Sequence, residues 1–202
     1  MKQGLLIIMS GPSGAGKGTI YNEVLKRMPS VKKSVSVTTR APRPHEKDGV
    51  DYYFKTLEEY QQMIAAGEFL ETAAVYNNHY GTPKQHVFDL IKNGNDVMFE
   101  IDIHGARQIK KRYHRAISIY IMTPTFEILE ERLRGRGTET EDSIVRRLGS
   151  AKSELAQYDL FDYIVFNDDI EQSVQSVMNI INAEKCKMKA NEEKVKALLE
   201  MK

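Results

Sequence analysis

The sequence predicts an α/β fold: a parallel sheet covered by helices, with a small inserted α+β lobe and a mobile lid. Three observations predict it. Short apolar runs, LLIIMS at 5–10, VMFEID at 97–102, AISIYIM at 116–122 and YIVFND at 163–168, have the length of strands buried on both faces. Helical stretches lie between them, so strand and helix alternate. Two segments, 34–83 and roughly 124–158, break that rhythm and read as the lobe and the lid.

Composition narrows the function classes. The chain has 202 residues, with 41% hydrophobic and 28% charged content, which suits one sizeable domain bearing small lobes. A net charge of +1 gives no reason to expect nucleic-acid or membrane binding. The single cysteine, Cys186, makes neither an internal disulfide nor a metal cluster and fits a reducing compartment. LLIIM is too short for a membrane span or signal core, so the expected location is the cytoplasm. A homo-oligomer is compatible with these features and not required by them.

The first strand runs straight into GPSGAGKGT, residues 11–19, and then into TIYNEVLKRM with apolar residues at Ile20, Val24, Leu25 and Met28. Strand, glycine-rich loop and helix in that order are the context of a phosphate-binding P-loop. Gly11, Gly16 and Lys17 hold the G-x-x-x-x-G-K spacing. Successive backbone N–H groups and the helix N-terminus converge there on phosphate oxygens, and Lys17 adds a positive charge. The position that normally supplies a hydroxyl to magnesium is Gly18, and the hydroxyl comes one place late as Thr19. Magnesium keeps several waters and takes few protein ligands, so the site is expected to work through phosphates and water. Thr19 is the candidate metal contact.

The lobe, 34–83, contains the β-like pieces SVSVTT, DYYF and FLETAAVY around one helix, which opens on a Thr56–Glu59 capping box and stops at Gly67. SVSVTTRAPRP sets Arg40 and Arg43 three residues apart, with Pro42 between them and Pro44 after. Two planar guanidinium forks grip one phosphate dianion well, and Tyr52 and Tyr80 can add phenolic donors. Glu71 reads either as a solvated glutamate at the end of the helical lobe or as a base-recognising residue. A carboxylate has only acceptors, matching the adjacent N1–H and amine of guanine, and the hydroxyls of Ser36 and Thr82 can donate to O6 or N7.

Asp102 ends the apolar run VMFEID, at the crevice where ligands bind in open α/β sheets. Glu100, two residues earlier, is expected to point the same way, and either can face a magnesium-bound water or the acceptor. The lid segment LRGRGTETEDSIVRRLGSAKSEL offers Arg132, Arg134, Arg136, Arg146 and Arg147, then helical spacing at Ile144, Leu148, Ala151 and Leu155. Arginines on a closing lid neutralise charge built up in phosphoryl transfer. Thr138 and Glu141 are placed to cap the lid helix. The histidines lack metal-ligand spacing. The lysine- and glutamate-rich tail, 184–202, reads as an extra helix.

These pieces, in order, resemble the guanylate kinase family from about Leu5 to Asn167, Asp168 and Asp169. The strings that carry the resemblance are GPSGAGKGT, SVSVTTRAPRP, DGVDYYF, FLETAAVYNNHYGTP, EIDIHGA, GRGTETEDSI with RRL, and FND. The resemblance implies a P-loop NTPase-type core (1–33 and 84–183), a lobe that binds a nucleoside monophosphate, and a lid. It implies conversion of GMP and ATP to GDP and ADP with Mg2+. Gly11, Pro12, Ser13, Gly14, Ala15, Gly16, Lys17, Gly18, Thr19 and Asn167 would bind ATP. Arg40, Arg43, Tyr52 and Tyr80 would hold the GMP phosphate. Ser36, Glu71 and Thr82 would read guanine with Asp102 nearby, and Arg136 and Arg147 would act with Lys17 and Arg40 in catalysis. His45 stands where the family favours glycine. A non-catalytic scaffold module is the competing class, disfavoured because the loop lysine and both arginine sets remain; a kinase for AMP or a ribose phosphate is disfavoured by Glu71, Ser36 and Thr82.

Overall fold

A computed structural model describes residues 4–75, 78–135 and 140–200. Five strands form one all-parallel sheet in the order β2-β7-β1-β8-β9: β1 is Leu6–Ser10, β2 Val31–Lys33, β7 Asp96–Glu100, β8 Ile117–Met122 and β9 Tyr163–Phe166. The centre is as apolar as the sequence requires. Ile7, Ile8 and Met9 of β1 are each wholly buried, because helices cover both faces. One face packs on α1 (Lys17–Arg27) and α7 (Ile170–Cys186) through Ile20, Val24, Val174, Val177 and Ile181. The other packs on α3 (Lys84–Lys92) and α4 (Ile103–Arg112) through Val87, Ile91, Ala106 and Ile109. Truncating a central residue such as Ile119 to alanine would cost about 2–5 kcal/mol.

The second sheet has four strands in the order β4-β3-β6-β5: β3 is Ser36–Thr38, β4 Tyr52–Phe54, β5 Phe69–Val75 and β6 Asn78–Pro83. Its helix, α2 (Leu57–Ala65), opens on the expected capping box, with Glu59 N–H donating to Thr56 Oγ1 at 3.2 Å and Thr56 N–H to the Glu59 carboxylate at 2.8 Å. Gly67, at φ +65°, follows its C-cap. The sheet is tied to α4 by a two-point clasp: Thr72 N–H donates to Gln108 Oε1 at 3.1 Å, and Gln108 Nε2 to Thr72 O at 2.8 Å. Arg112 adds a bond from Nη1 to Leu70 O at 3.0 Å.

The lid segment supplies α5 (Phe126–Arg134) and α6 (Glu141–Leu155), which bury Leu129, Leu133, Ile144 and Ala151 together. The capping expectation is corrected by two residues: Thr140 is the N-cap of α6 and accepts from Ser143 N–H at 3.3 Å, while Thr138 lies outside the described residues. The tail also differs in detail. Helix α7 continues to Cys186, and a short turn precedes α8 (Glu192–Glu200). Among the described residues no helix is long and apolar enough to cross a membrane.

Candidate active site

The glycine-rich loop leaves β1 at Ser10 and enters α1 at Lys17. Gly16 has φ +87°, a left-handed conformation, and a Cβ there would stand 2.2 Å from Asn167 Nδ2, so only glycine fits. Lys17 Nζ donates to the carbonyls of Gly11 at 2.6 Å and Pro12 at 2.9 Å, holding its charge across the loop. Asn167 is buried behind the loop. Its Nδ2 donates to Ala15 O at 2.8 Å and its Oδ1 accepts from Ser173 Oγ at 3.2 Å, so its described contacts brace the loop against α7. Arg132, one of the lid arginines, completes this corner. Its Nη2 donates to Asn167 O at 2.9 Å, and its Nη1 would lie 3.9 Å from a Cβ at Gly16.

The structure separates the two carboxylates that the sequence leaves interchangeable. Glu100 ends β7 and faces the loop: a Cβ at Gly18 would meet its oxygens at 3.7 and 3.9 Å. Desolvation raises its pKa, and the charges of Lys17 and Lys33 oppose the rise. Asp102 lies beyond the strand, where alternation no longer holds, and caps α4 by accepting from Gly105 N–H at 2.8 Å. Thr19, the next residue round α1, is exposed, so Gly18 rather than Thr19 stands opposite Glu100.

In the four-stranded sheet, β3, β4 and β6 bring Ser36, Tyr52, Tyr80 and Thr82 to one region by register: Ser36 pairs with Tyr52 and Thr38 with Tyr80. Arg40 follows β3. Its guanidinium lies 5.5 Å from the Tyr52 ring centre and 6.0 Å from that of Phe54, and its pKa is raised first by Glu46 and also by Tyr80. Glu46, which sequence reading passes over, takes both Arg40 Nη2 bonds at 2.7 and 2.9 Å and accepts Arg43 N–H at 2.8 Å. Those bonds, Arg40 first, hold its carboxyl down to about 2. The Arg43 side chain is exposed.

Glu71 is buried at 4% exposure, opposite Thr82 across β5 and β6. Here the expectation for Thr82 changes: its hydroxyl donates to Glu71 Oε1 at 2.6 Å, so it orients the carboxylate. Burial pushes the Glu71 carboxyl up to about 7, with Thr82 pulling it down and Asp102 adding to the rise. Arg147 sits on α6, with Nε donating to Ser143 Oγ at 3.4 Å. Arg136 lies outside the described residues.

Among the described residues no three carboxylates, histidines or cysteines gather as a metal cage. One carboxylate beside the phosphate loop is a donor set that suits magnesium carried by phosphates and water.

A phosphate loop at the strand ends, faced by a lobe built around arginine, tyrosine and one buried glutamate, defines a P-loop protein of the nucleoside monophosphate kinase type. The chain belongs to the guanylate kinase family: the family model described as "Guanylate kinase" matches residues 3–184. It is 50% identical over 189 residues to the guanylate kinase of Carboxydothermus hydrogenoformans, covering 94% of this chain and 93% of that one. To the guanylate kinase of Thermotoga maritima it is 46% identical, covering 96% and 93%. The crystal structure of guanylate kinase from Anaplasma phagocytophilum superposes with a TM-score of 0.74 at 34% identity, covering 92% of this chain and 88% of that chain.

Proposed function

We propose that this chain transfers the γ-phosphoryl group of ATP to GMP, and to dGMP, giving ADP and GDP or dGDP. The observation that carries the reading is Glu71, a buried carboxylate oriented by Thr82, two positions along the β5–β6 ladder from Tyr80, beside which Arg40 and Tyr52 gather. That polarity matches a guanine base at one end and a phosphate at the other. Residues 34–83 act as the acceptor lobe, 1–33 and 84–183 as the core, and 124–158 as the lid; 184–202 is an appended tail.

In the reaction a GMP phosphate oxygen attacks the γ-phosphorus in line. The bond from that phosphorus to the bridging oxygen breaks, and its electron pair leaves with ADP. Arg40 and Arg43 hold the acceptor phosphate, and Lys17 with the loop N–H groups holds the donor. Arg136 and Arg147 neutralise charge on the transferring oxygens as lid and lobe exclude water. Glu100, beside Gly18 of the loop, would hold a water of a magnesium ion bound with ATP, and that ion would supply neutralising charge for the phosphates. The cytoplasm, where these nucleotides are made, is the expected location.

A coupled ADP-release assay with ATP and magnesium tests the reading across GMP, AMP, CMP, UMP and no acceptor. Strong turnover with GMP alone is expected. Folded protein that binds GMP and turns over none of them sinks it.

A further inference from the structure

We propose that Gly105 is a specificity-determining residue: the side chain it lacks is the space in which the Glu71 carboxylate stands to read the base. The inference rests on the guanine-reading role of Glu71.

Gly105 is buried in the first turn of α4. A Cβ built there would lie 2.9 Å from Glu71 Oε2, 3.3 Å from Glu71 Cδ and 3.3 Å from Ile101 Cδ1. Contacts that short do not persist, so a side chain at 105 moves its neighbours. Helix α4 is poorly able to yield. Its first turn is capped through Gly105 N–H to Asp102 Oδ1 at 2.8 Å, and its later turns hold Thr72 and Leu70. Glu71 therefore gives way, although Oε1 is held by Thr82 at 2.6 Å. The displaced atom is Oε2, the oxygen left to meet a second donor of the base. A forked contact to two adjacent N–H groups requires both oxygens in line, and a shift of a few tenths of an ångström breaks one bond.

Helix preference argues against glycine here, since glycine is the poorest helix former after proline. Gly105 also has no left-handed φ to explain it. The exposed Gly149 of α6 makes the contrast, because a Cβ there would meet nothing within 4 Å. Gly149 faces open space, and Gly105 faces the Glu71 carboxylate.

The test is steady-state kinetics of the full chain carrying Gly105→Ala, with GMP, AMP and ATP varied in turn, beside Gly149→Ala and thermal melts. Gly105→Ala is expected to raise KM for GMP roughly tenfold or more and to narrow the GMP-to-AMP preference by a similar factor. KM for ATP and the melting temperature should hold, as they should throughout for Gly149→Ala. Unchanged GMP kinetics in Gly105→Ala overturn the inference, and so does a loss falling equally on ATP and GMP. A double-mutant cycle covers the case of a poorly folding single variant. In a Glu71→Asp background, where the carboxylate is withdrawn by one methylene, Gly105→Ala should cost little more, and a full additive loss overturns the inference. Wild-type protein with no preference for GMP removes the parent reading and this one with it. A GMP preference that survives Gly105→Ala removes only this one.

Discussion

Glu46 holds Arg40 by two bonds, at 2.7 and 2.9 Å, and takes the Arg43 N–H with the same carboxylate. The pair sets the plane of the guanidinium beside Tyr52 and Tyr80. Glu46→Gln should therefore raise KM for GMP about tenfold, the scale of one charge-assisted bond, while KM for ATP stays put. Because Arg40 and the Arg43 N–H hold the Glu46 carboxyl at about 2, this residue should add no pH dependence near neutrality. Kinetics of the variant from pH 6 to 9 check both points.

Glu71 should make acceptor use strongly pH-dependent. Its carboxyl sits near 7, raised first by burial, whereas guanine requires the ionised form. kcat/KM for GMP is expected to fall about tenfold per pH unit below that value, and kcat/KM for ATP to fall much less. Stability moves the other way. The folded pKa lies above the unfolded value of 4.5, so the folded state binds the extra proton between 4.5 and about 7. The Glu71 contribution to stability is fully present below that window and is lost as pH rises through it, by on the order of 3 kcal/mol. Glu71→Gln should flatten this decline in denaturant melts at pH 5 and 8, and a wild-type curve that rises with pH across the window would refute the assignment.

Asn167→Ala should separate donor from acceptor binding. It strips the Ala15 carbonyl and Ser173 hydroxyl of a buried partner, a loss of about 1–3 kcal/mol in stability. The phosphate loop loses its brace, so KM for ATP should rise severalfold while KM for GMP is little changed. Equal effects on both substrates would assign Asn167 to general stability.

Gly18→Ser tests how the metal is held. Gly18 has no left-handed φ, and the new Cβ would meet only Glu100, at ordinary contact distances of 3.7 and 3.9 Å. The variant should fold normally and reach half-maximal activity at lower magnesium, because a hydroxyl now joins the waters around the ion. A higher magnesium requirement would show that Glu100 needs the room that glycine leaves.

The sheet core was legible because parallel strands buried on both sides must be continuous apolar runs, and those of β1, β7 and β8 are; β9 is apolar in sequence too, but it is the edge strand and leaves Ile164 and Phe166 exposed. Strand β2 was not, since VKK puts Lys32 and Lys33 in solvent and leaves only Val31 as a signal. Strand β6, NHYGTP, was hidden by glycine, proline and asparagine, and exists because β3 and β5 pair with it on either side. The functional residue types were readable at their positions, but their partners were not. Thr82 reads as a base contact until Glu71, 11 residues away in sequence, is found accepting its hydroxyl hydrogen bond. Asn167 bonds a carbonyl 152 residues away. Period-two alternation joined Glu100 to Asp102, and it failed because the strand stops between them.

The clasp between Thr72 and Gln108 sits beside Glu71, and Arg112 ties Phe69 and Leu70 to the same helix. Among the described residues these bonds moor the four-stranded sheet to α4 beside Glu71. If the lobe closes as proposed, the seam beside Glu71 would be its fulcrum, and Arg40 and Arg43 would travel farther than the base-reading residues. The base would be identified by a nearly stationary surface, while the phosphate is delivered to the P-loop by the part that travels farthest.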